Sequence, residues 1–248
     1  MKWIFRILLL SIMTTLPSQA QLWKLRRWEL TGGIGTGHYF GDIGGVSPGE
    51  NILGLKDIQL VSTRPVFNAG MRYKIGASTS VSGSFTTGWI HGQDKGGVND
   101  ARGIIFNTFI FEPSVRIEQA IIPDKSAKSY LMMKGRGIVS FTSSISVYAF
   151  AGVGGSLFFP KAKEDPFNRL DPSASKFSVV FPVGLGLKFP LDPNFSLGFD
   201  LGARLTRTDE IDGFTSQFSK HNDIYYFTAF QFIWKLKTDR RGLPKFRL

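Results

Sequence analysis

The feature that most constrains the fold is an alternation of apolar and polar residues with a period of two, which recurs in eight segments. Such alternation is typical of a β-strand with one apolar and one polar face. In the clearest segment, 194–208, Phe, Leu and Ala hold the odd positions from 195 to 205, and Ser, Gly, Asp, Arg or Thr hold the even positions from 196 to 206. We expect eight strands, over 28–39, 65–75, 79–91, 103–118, 144–159, 177–189, 194–208 and 223–237.

The connections favour a membrane barrel over a soluble sandwich. A sandwich packs its apolar faces inward, whereas an outer-membrane barrel turns them to lipid and fills its lumen with small polar residues. Short links near 76–78 and 190–193 alternate with longer loops at about 41–64, 92–102, 160–176 and 209–222, as in such barrels. The sequence therefore predicts an all-β, eight-stranded antiparallel up-and-down transmembrane β-barrel. One connection departs from this pattern, and we interpret 119–143 as a long periplasmic link.

Aromatic residues near the predicted strand ends fit the same interpretation. Outer-membrane barrels carry Trp and Tyr on their outer surface, at the height of the lipid headgroups. We expect such a belt to be formed by Trp28, Tyr39, Tyr73, Trp89, Tyr225 and Trp234.

The first 20 residues predict the compartment. Lys2 and Arg6 precede an apolar run at 7–16 and a small-x-small end at 18–20, which is the pattern of a cleaved secretory signal peptide. Removing these two cations from 30 basic residues leaves 28 against 19 acidic, a net charge of +9. We expect an exported chain with a barrel over 21–237 and a basic periplasmic tail over 238–248, located in a bacterial outer membrane. We expect no nucleic-acid partner there.

Nine charged residues fall on the predicted inner face, five basic and four acidic. An eight-stranded barrel is only wide enough inside for its own side chains, so buried charges must pair to offset their desolvation. The sequence therefore predicts a plugged polar lumen rather than a pore, although a proton or ion path through the same residues stays open. This lumen charge network comprises Glu29, Arg72, Lys74, Glu112, Arg116, Glu118, Lys188, Asp200 and Arg204.

Basic residues dominate the segments expected on the periplasmic side. They are Lys24, Arg26, Arg27, Lys125, Lys128, Lys134, Arg136, Lys235, Lys237, Arg240, Arg241, Lys245 and Arg247, against Asp124, Asp192 and Asp239. A basic rim contacts anionic headgroups or docks an acidic partner. For partner docking we single out Lys125, Lys128, Lys134, Arg136, Arg240, Arg241, Lys245 and Arg247.

Enzymatic chemistry finds little support. The chain has no cysteine and three histidines, His38, His91 and His221, which the topology places at the outer rim. Outer-membrane proteases and lipid A-modifying enzymes also keep a histidine there as a general base, so a rim-active enzyme remains an alternative. No nucleophile elbow or phosphate loop accompanies these histidines. We expect no catalytic residue, no cofactor and no metal site.

Several stretches resemble one family of small barrels. The stretches 28–35, 39–44, 102–118, 148–154, 182–188, 202–209 and 222–226 carry Gly and aromatic patterns like those of its strands. This is the PorG family, Bacteroidetes outer-membrane barrels associated with type IX secretion. The resemblance implies a non-enzymatic accessory or anchor of that machinery, with periplasmic PorK/PorN-like ring subunits, outer-membrane lipid and lipopolysaccharide as partners. A generic porin-like, adhesion or surface-binding barrel is the alternative.

Overall fold

The computed structural model describes residues 22–40, 43, 62–94, 100–123, 145–166, 176–192, 194–213, 222–239 and 241–246. The predicted signal peptide lies outside the described residues. The strands are β1 (Trp28–Phe40), β2 (Arg64–Lys74), β3 (Thr79–Gln93), β4 (Ile105–Ile122), β5 (Ser146–Glu164), β6 (Phe177–Pro190), β7 (Phe195–Thr206), β8 (Ile224–Thr238) and β9 (Pro244–Lys245). Short 3-10 helices cover Leu22–Arg26 and Asp100–Arg102. Nowhere in these ranges does a helix have the length and hydropathy needed to cross a membrane.

Strands β1 to β8 form a closed barrel. Each strand pairs antiparallel with the next in the chain, and β8 pairs back with β1. Leu30, for example, lies opposite Met71 on one side and Trp234 on the other. Closure removes the unpaired sheet edges that an open sheet would expose. The predicted all-β, eight-stranded antiparallel up-and-down barrel is confirmed.

The two ends of the barrel differ in their connections. One end, which we call the turn end, carries the N-terminal segment 22–27, the C-terminal segment 241–246 and the tight turns between β2 and β3 and between β6 and β7. At the β6–β7 turn, the Asp192 carboxylate accepts hydrogen bonds from the backbone N–H of Asn194 and of Phe195, both at 2.6 Å. The opposite end, which we call the loop end, carries the connections β1–β2, β3–β4, β5–β6 and β7–β8. β4 ends and β5 begins at the turn end, and residues 123–145 connect them.

The strand residues alternate between lumen and outer surface. The large apolar side chains that the strands expose include Ile34, Phe67, Val115, Ile117, Val153, Leu185, Leu201, Phe230 and Phe232. Trp28, Tyr73, Trp89 and Trp234 share the outward phase of their strands. Tyr39 and Tyr225 do not, because they lie in phase with the lumen residues of β1 and β8 and are buried. Placing these two tyrosines in an external belt was therefore wrong.

The strand boundaries differ from the sequence expectation mainly in β4 and β5. These strands extend to Ile122 and Glu164, since their additional residues pair across the β4–β5 ladder. β9 was also not expected. Gly242, with a φ of 82°, lets the chain turn back so that Lys245 pairs with Lys237 of β8.

Candidate functional site

The lumen is the candidate site, and its turn-end half is filled by charged side chains. Glu29 of β1 lies at the centre with no exposed surface. Arg72 Nη1 and Lys188 Nζ each donate to Glu29 Oε2 at 2.8 Å. Lys74 Nζ lies 3.0 Å from Glu29 Oε1. One carboxylate therefore compensates cations from β2 and β6, on opposite sides of the barrel.

Two further carboxylates, Glu118 and Asp200, extend the group of paired charges around Glu29, which we call the ionic layer. Glu118 Oε2 forms an ion pair with Arg72 Nε. The other oxygen of this carboxylate, Oε1, lies 3.0 Å from Arg116 Nε. Arg116 Nη2 also contacts Asp200 Oδ2 at 2.8 Å. Because each guanidinium bridges two carboxylates, the pairs form one network across β1, β2, β4 and β7.

Two aromatic rings on β5 complete the layer. Tyr148 donates a hydrogen bond to Asp200 and accepts one from Arg72 Nη2 at 3.3 Å. The Arg72 guanidinium lies 5.2 Å from the Tyr148 ring centroid, and the Arg116 guanidinium lies 4.5 Å from that of Phe150. Cation–π contacts of this kind strengthen when they are desolvated.

Lumen glycines make room for these rings. A Cβ added at Gly186 would overlap Tyr148, and one at Gly184 or Gly202 would lie too close to Phe150. The Gly-rich inner faces thus leave space on β6 and β7 for the bulky residues of β5.

A smaller ionic group lies further toward the loop end. Arg204 Nε donates to Glu112 Oε1 at 3.2 Å, and Tyr225 OH donates to Glu112 Oε2 at 2.5 Å. The Arg204 guanidinium lies over the Phe227 ring, 4.7 Å from its centroid. The structure therefore places all nine sequence-predicted lumen charges inside the barrel, and each has at least one ion-pair partner of opposite sign.

Lys235 is a lumen charge that the sequence analysis assigned to the periplasmic side. Its side chain is 2% exposed and acts electrostatically on Glu29. The inward phase of β8 continues from Gln231 through Ile233 to Lys235, so the alternation itself contained this signal. Lys235 adds a sixth cation to the five predicted ones, against four lumen carboxylates.

The loop-end half of the lumen is closed by an apolar cluster that the sequence analysis did not predict. We call it the apolar plug: Tyr39, Ile43, Val66, Ile90, Ile104, Phe106, Ile110, Phe158, Val180, Ile211, Tyr225 and Phe227. Ile43 and Ile211 come from loops and the others mainly from strands. The sequence feature that could have indicated this cluster is the apolar character of inward positions in β4 and β5, such as Phe106, Ile110 and Phe158.

Polar contacts fix the β7–β8 loop over the plug. The Tyr39 hydroxyl lies 2.7 Å from Asp212 Oδ2 and 2.5 Å from Asp223 Oδ1. The Ile211 N–H donates to Asp223 Oδ2 at 2.9 Å, and Thr108 Oγ1 donates to the Ile211 carbonyl at 2.7 Å. These bonds hold the Ile211 side chain inside the barrel mouth.

The histidines do not converge. His38 is half-buried on the outer face, with Nε2 3.2 Å from Thr36 Oγ1. His91 is buried beside Asn107 on the outer wall. His221 lies outside the described residues. No group of three or more His, Asp or Glu side chains within the described ranges is arranged to hold a metal ion.

The predicted docking residues fall only partly within the structure. Lys125, Lys128, Lys134, Arg136, Arg240 and Arg247 lie outside the described residues. Arg241 and Lys245 are exposed at the turn end, where Lys245 Nζ lies 3.6 Å from Asp239 Oδ1.

Apolar residues are also exposed in the two terminal segments at this end of the barrel. Leu25 is 61% exposed, Leu243 58% and Phe246 63%. We call Lys24, Leu25, Arg241, Leu243, Lys245 and Phe246 the terminal platform. Trp28 Nε1 links the C-terminal part of this set to the barrel by donating to the Gly242 carbonyl at 2.8 Å.

Comparison with known proteins finds barrels of similar architecture among solved structures. No known family model matches the chain, and no curated protein matches its sequence. Among solved structures, Ail of Yersinia pestis is 16% identical, covering 85% of this chain and 97% of that one with a TM-score of 0.42. Neisserial surface protein A is 9% identical, covering 84% and 96% with a TM-score of 0.41. The outer membrane enzyme PagL is 14% identical, covering 82% and 97% with a TM-score of 0.33. At these low identities and TM-scores the similarities carry no functional argument, and the barrel architecture rests on this chain's own strand pairing.

Proposed function

We propose that the chain is an outer-membrane barrel that acts as a non-enzymatic anchor of a secretion machinery. Its membrane location is supported by the outer wall, where large apolar side chains such as Ile34, Val115 and Phe230 are more than half exposed. In water a continuous apolar surface of this kind promotes aggregation, whereas in hydrocarbon it is the favourable surface. A closed barrel also satisfies its backbone hydrogen bonds internally, as the bilayer core requires.

The observation that carries the proposed anchor role is the double closure of the lumen. The ionic layer around Glu29 occupies the turn-end half and the apolar plug occupies the loop-end half. A solute would have to displace paired buried charges and a close-packed hydrophobic cluster, which are both costly steps. A sealed barrel presents its two ends and its outer wall to partners, so a binding or anchoring role fits it better than diffusion.

Assignment to type IX secretion is supported by the sequence resemblance to the PorG family. The terminal platform supplies a docking surface of suitable chemistry, because it combines cations with the exposed apolar residues Leu25, Leu243 and Phe246. Such a mixture suits a protein partner, in which buried apolar anchors contribute most of the binding energy. The proposed partners are periplasmic ring subunits of the PorK/PorN type.

Deleting the gene and comparing the secreted proteome tests this assignment. We expect cargo of the type IX system to be retained in the cells, and the plasmid-borne gene to restore its export. Unchanged export would contradict the secretion role and favour a generic surface-binding barrel. Restored export with His38→Ala, His91→Ala and His221→Ala combined would argue against the rim-active enzyme.

Charge reversal in the tail tests the docking surface. We expect the combined variant R240E/R241E/K245E/R247E to lose co-purification with the periplasmic partners at ordinary salt. Exposed ion pairs contribute only about 0.2 to 1 kcal/mol each, so single substitutions should retain docking. K176E/R207E, which reverses two exposed cations at the loop end, is the control. Normal co-purification of the four-fold variant would exclude the tail as the docking element.

A further inference from the structure

A row of aromatic residues crosses the outer wall near the loop end. Trp89 of β3 lies opposite Phe109 of β4, which lies opposite Phe159 of β5. The Trp89 and Phe109 ring centroids are 5.3 Å apart, and Trp89 and Phe159 are 37% and 41% exposed. Aromatic side chains on the outer wall of a barrel mark the boundary between hydrocarbon and headgroups.

The next outward-facing row toward the loop end is polar and basic. His91 lies opposite Asn107, which lies opposite Lys161, two residues beyond the aromatic row on each strand. Two residues of β-strand correspond to about 6.7 Å. This distance places the polar row at the height of lipid headgroup phosphates if the aromatic row lies at the edge of the hydrocarbon.

The polar row lines a shallow cavity. Arg64, His91, Asn107, Lys161 and Lys163 surround a volume of about 300 Å³, together with Ala162. A volume at the lower limit of small-molecule pockets suits a single headgroup substituent rather than an extended ligand.

Lys161, Lys163 and His91 have unused binding capacity in this cavity, whereas Arg64 already donates a hydrogen bond to the Thr63 carbonyl at 2.9 Å. The exposed ammonium groups of Lys161 and Lys163 form no ion pair with any residue in the described ranges. His91 is only 4% exposed, and its Nδ1 lacks a hydrogen-bond partner there. Cations combined with neutral donors are the groups that bind phosphate through charge-assisted hydrogen bonds.

We propose that Arg64, His91, Asn107, Lys161 and Lys163 form a binding site for the phosphate of an outer-leaflet glycolipid. The lipid is favoured over a soluble anion because His91, Asn107 and Lys161 share the outward phase of their strands, directly beyond the aromatic row that would contact the acyl chains. The loop end faces the outer leaflet because long loops are extracellular in such barrels. This inference rests on the proposed membrane location.

Native mass spectrometry of the refolded barrel in detergent micelles tests the site. The micelles contain either bisphosphorylated lipid A or its dephosphorylated form, and the lipid retained by the barrel is measured. We expect wild type to retain the phosphorylated lipid preferentially. K161Q/K163Q should lower its apparent affinity by about tenfold or more, because hydrogen bonds between charged groups contribute at least this factor. K176Q/R207Q removes two exposed cations from the same rim outside the cavity and should bind as wild type does.

Three results would overturn the proposal. One is equal retention of both lipids by wild type, and another is equal loss in the two double variants, which would indicate general attraction by the rim. The third is stabilisation of wild type, but not of K161Q/K163Q, by inorganic phosphate alone, which would assign the site to a soluble anion. Failure of the barrel to insert into bilayers would instead contradict the proposed membrane location. Failure of the phosphate site and failure of the membrane location can therefore be distinguished.

Discussion

At the scale of single residues, Glu29 holds the ionic layer together. It is fully buried and contacts Arg72, Lys74 and Lys188, with Lys235 acting on it as well. A buried ion pair contributes little net stability compared with a well-packed apolar replacement, but removing one partner leaves its counter-charges buried and uncompensated. The layer is therefore most sensitive to loss of its few carboxylates.

Replacing Glu29 with Gln should lower the free energy of unfolding by about 3 to 5 kcal/mol, because three cations lose a shared carboxylate. The change can be measured by urea titration of the barrel in lipid vesicles, with folded and unfolded forms separated by gel migration. Glu164→Gln, at an exposed end of β5, removes the same charge outside the lumen and should leave stability within about 0.5 kcal/mol. Equal effects of the two substitutions would contradict the role of Glu29.

Glycine at position 186 is required by the Tyr148 ring. Gly186→Ala should destabilise the barrel by about 1 to 3 kcal/mol, since the added methyl group overlaps that ring and forces it to move. Gly83→Ala is the matched control, because a Cβ at Gly83 meets no atom within 4 Å. The same urea titration compares both variants, and a Gly186→Ala barrel as stable as Gly83→Ala would refute the packing argument.

At the scale of elements, alternation alone predicted every strand of the barrel to within a few residues at most ends. It failed where a neighbouring strand decides the boundary, as at Ile122 and Glu164, which are held by the β4–β5 ladder. It also missed β9, whose two residues are too few to show a period. Tyr39 and Tyr225 were misplaced because their aromatic character suggested an interface while their phase pointed inward.

The terminal strand β9 should be separable from the barrel. Trp28→Phe removes the hydrogen bond to the Gly242 carbonyl, which contributes about 1 kcal/mol. We expect faster proteolytic cleavage after residue 238, with unfolding of the barrel itself shifted only slightly. Trp234→Phe, on the same outer wall, is the control. Unchanged cleavage in Trp28→Phe would show that other contacts hold β9.

At the scale of the whole molecule, the lumen is closed by two layers of different chemistry. The nine charges that the sequence assigned to the lumen do lie there, because strict alternation fixes the facing of each strand residue. The apolar plug could not be predicted in the same way. It needs Ile43 and Ile211, which loops bring into the barrel mouth through contacts such as Tyr39 with Asp212 and Asp223.

Conductance of the purified barrel in a planar lipid bilayer tests the sealed lumen most directly. Insertion is first verified by the different gel migration of folded and boiled protein. We expect no stable conductance steps above the bare bilayer, for wild type and for the Glu164→Gln control alike. Reproducible open-channel steps from inserted wild-type protein would contradict the sealed lumen and the anchor role that rests on it.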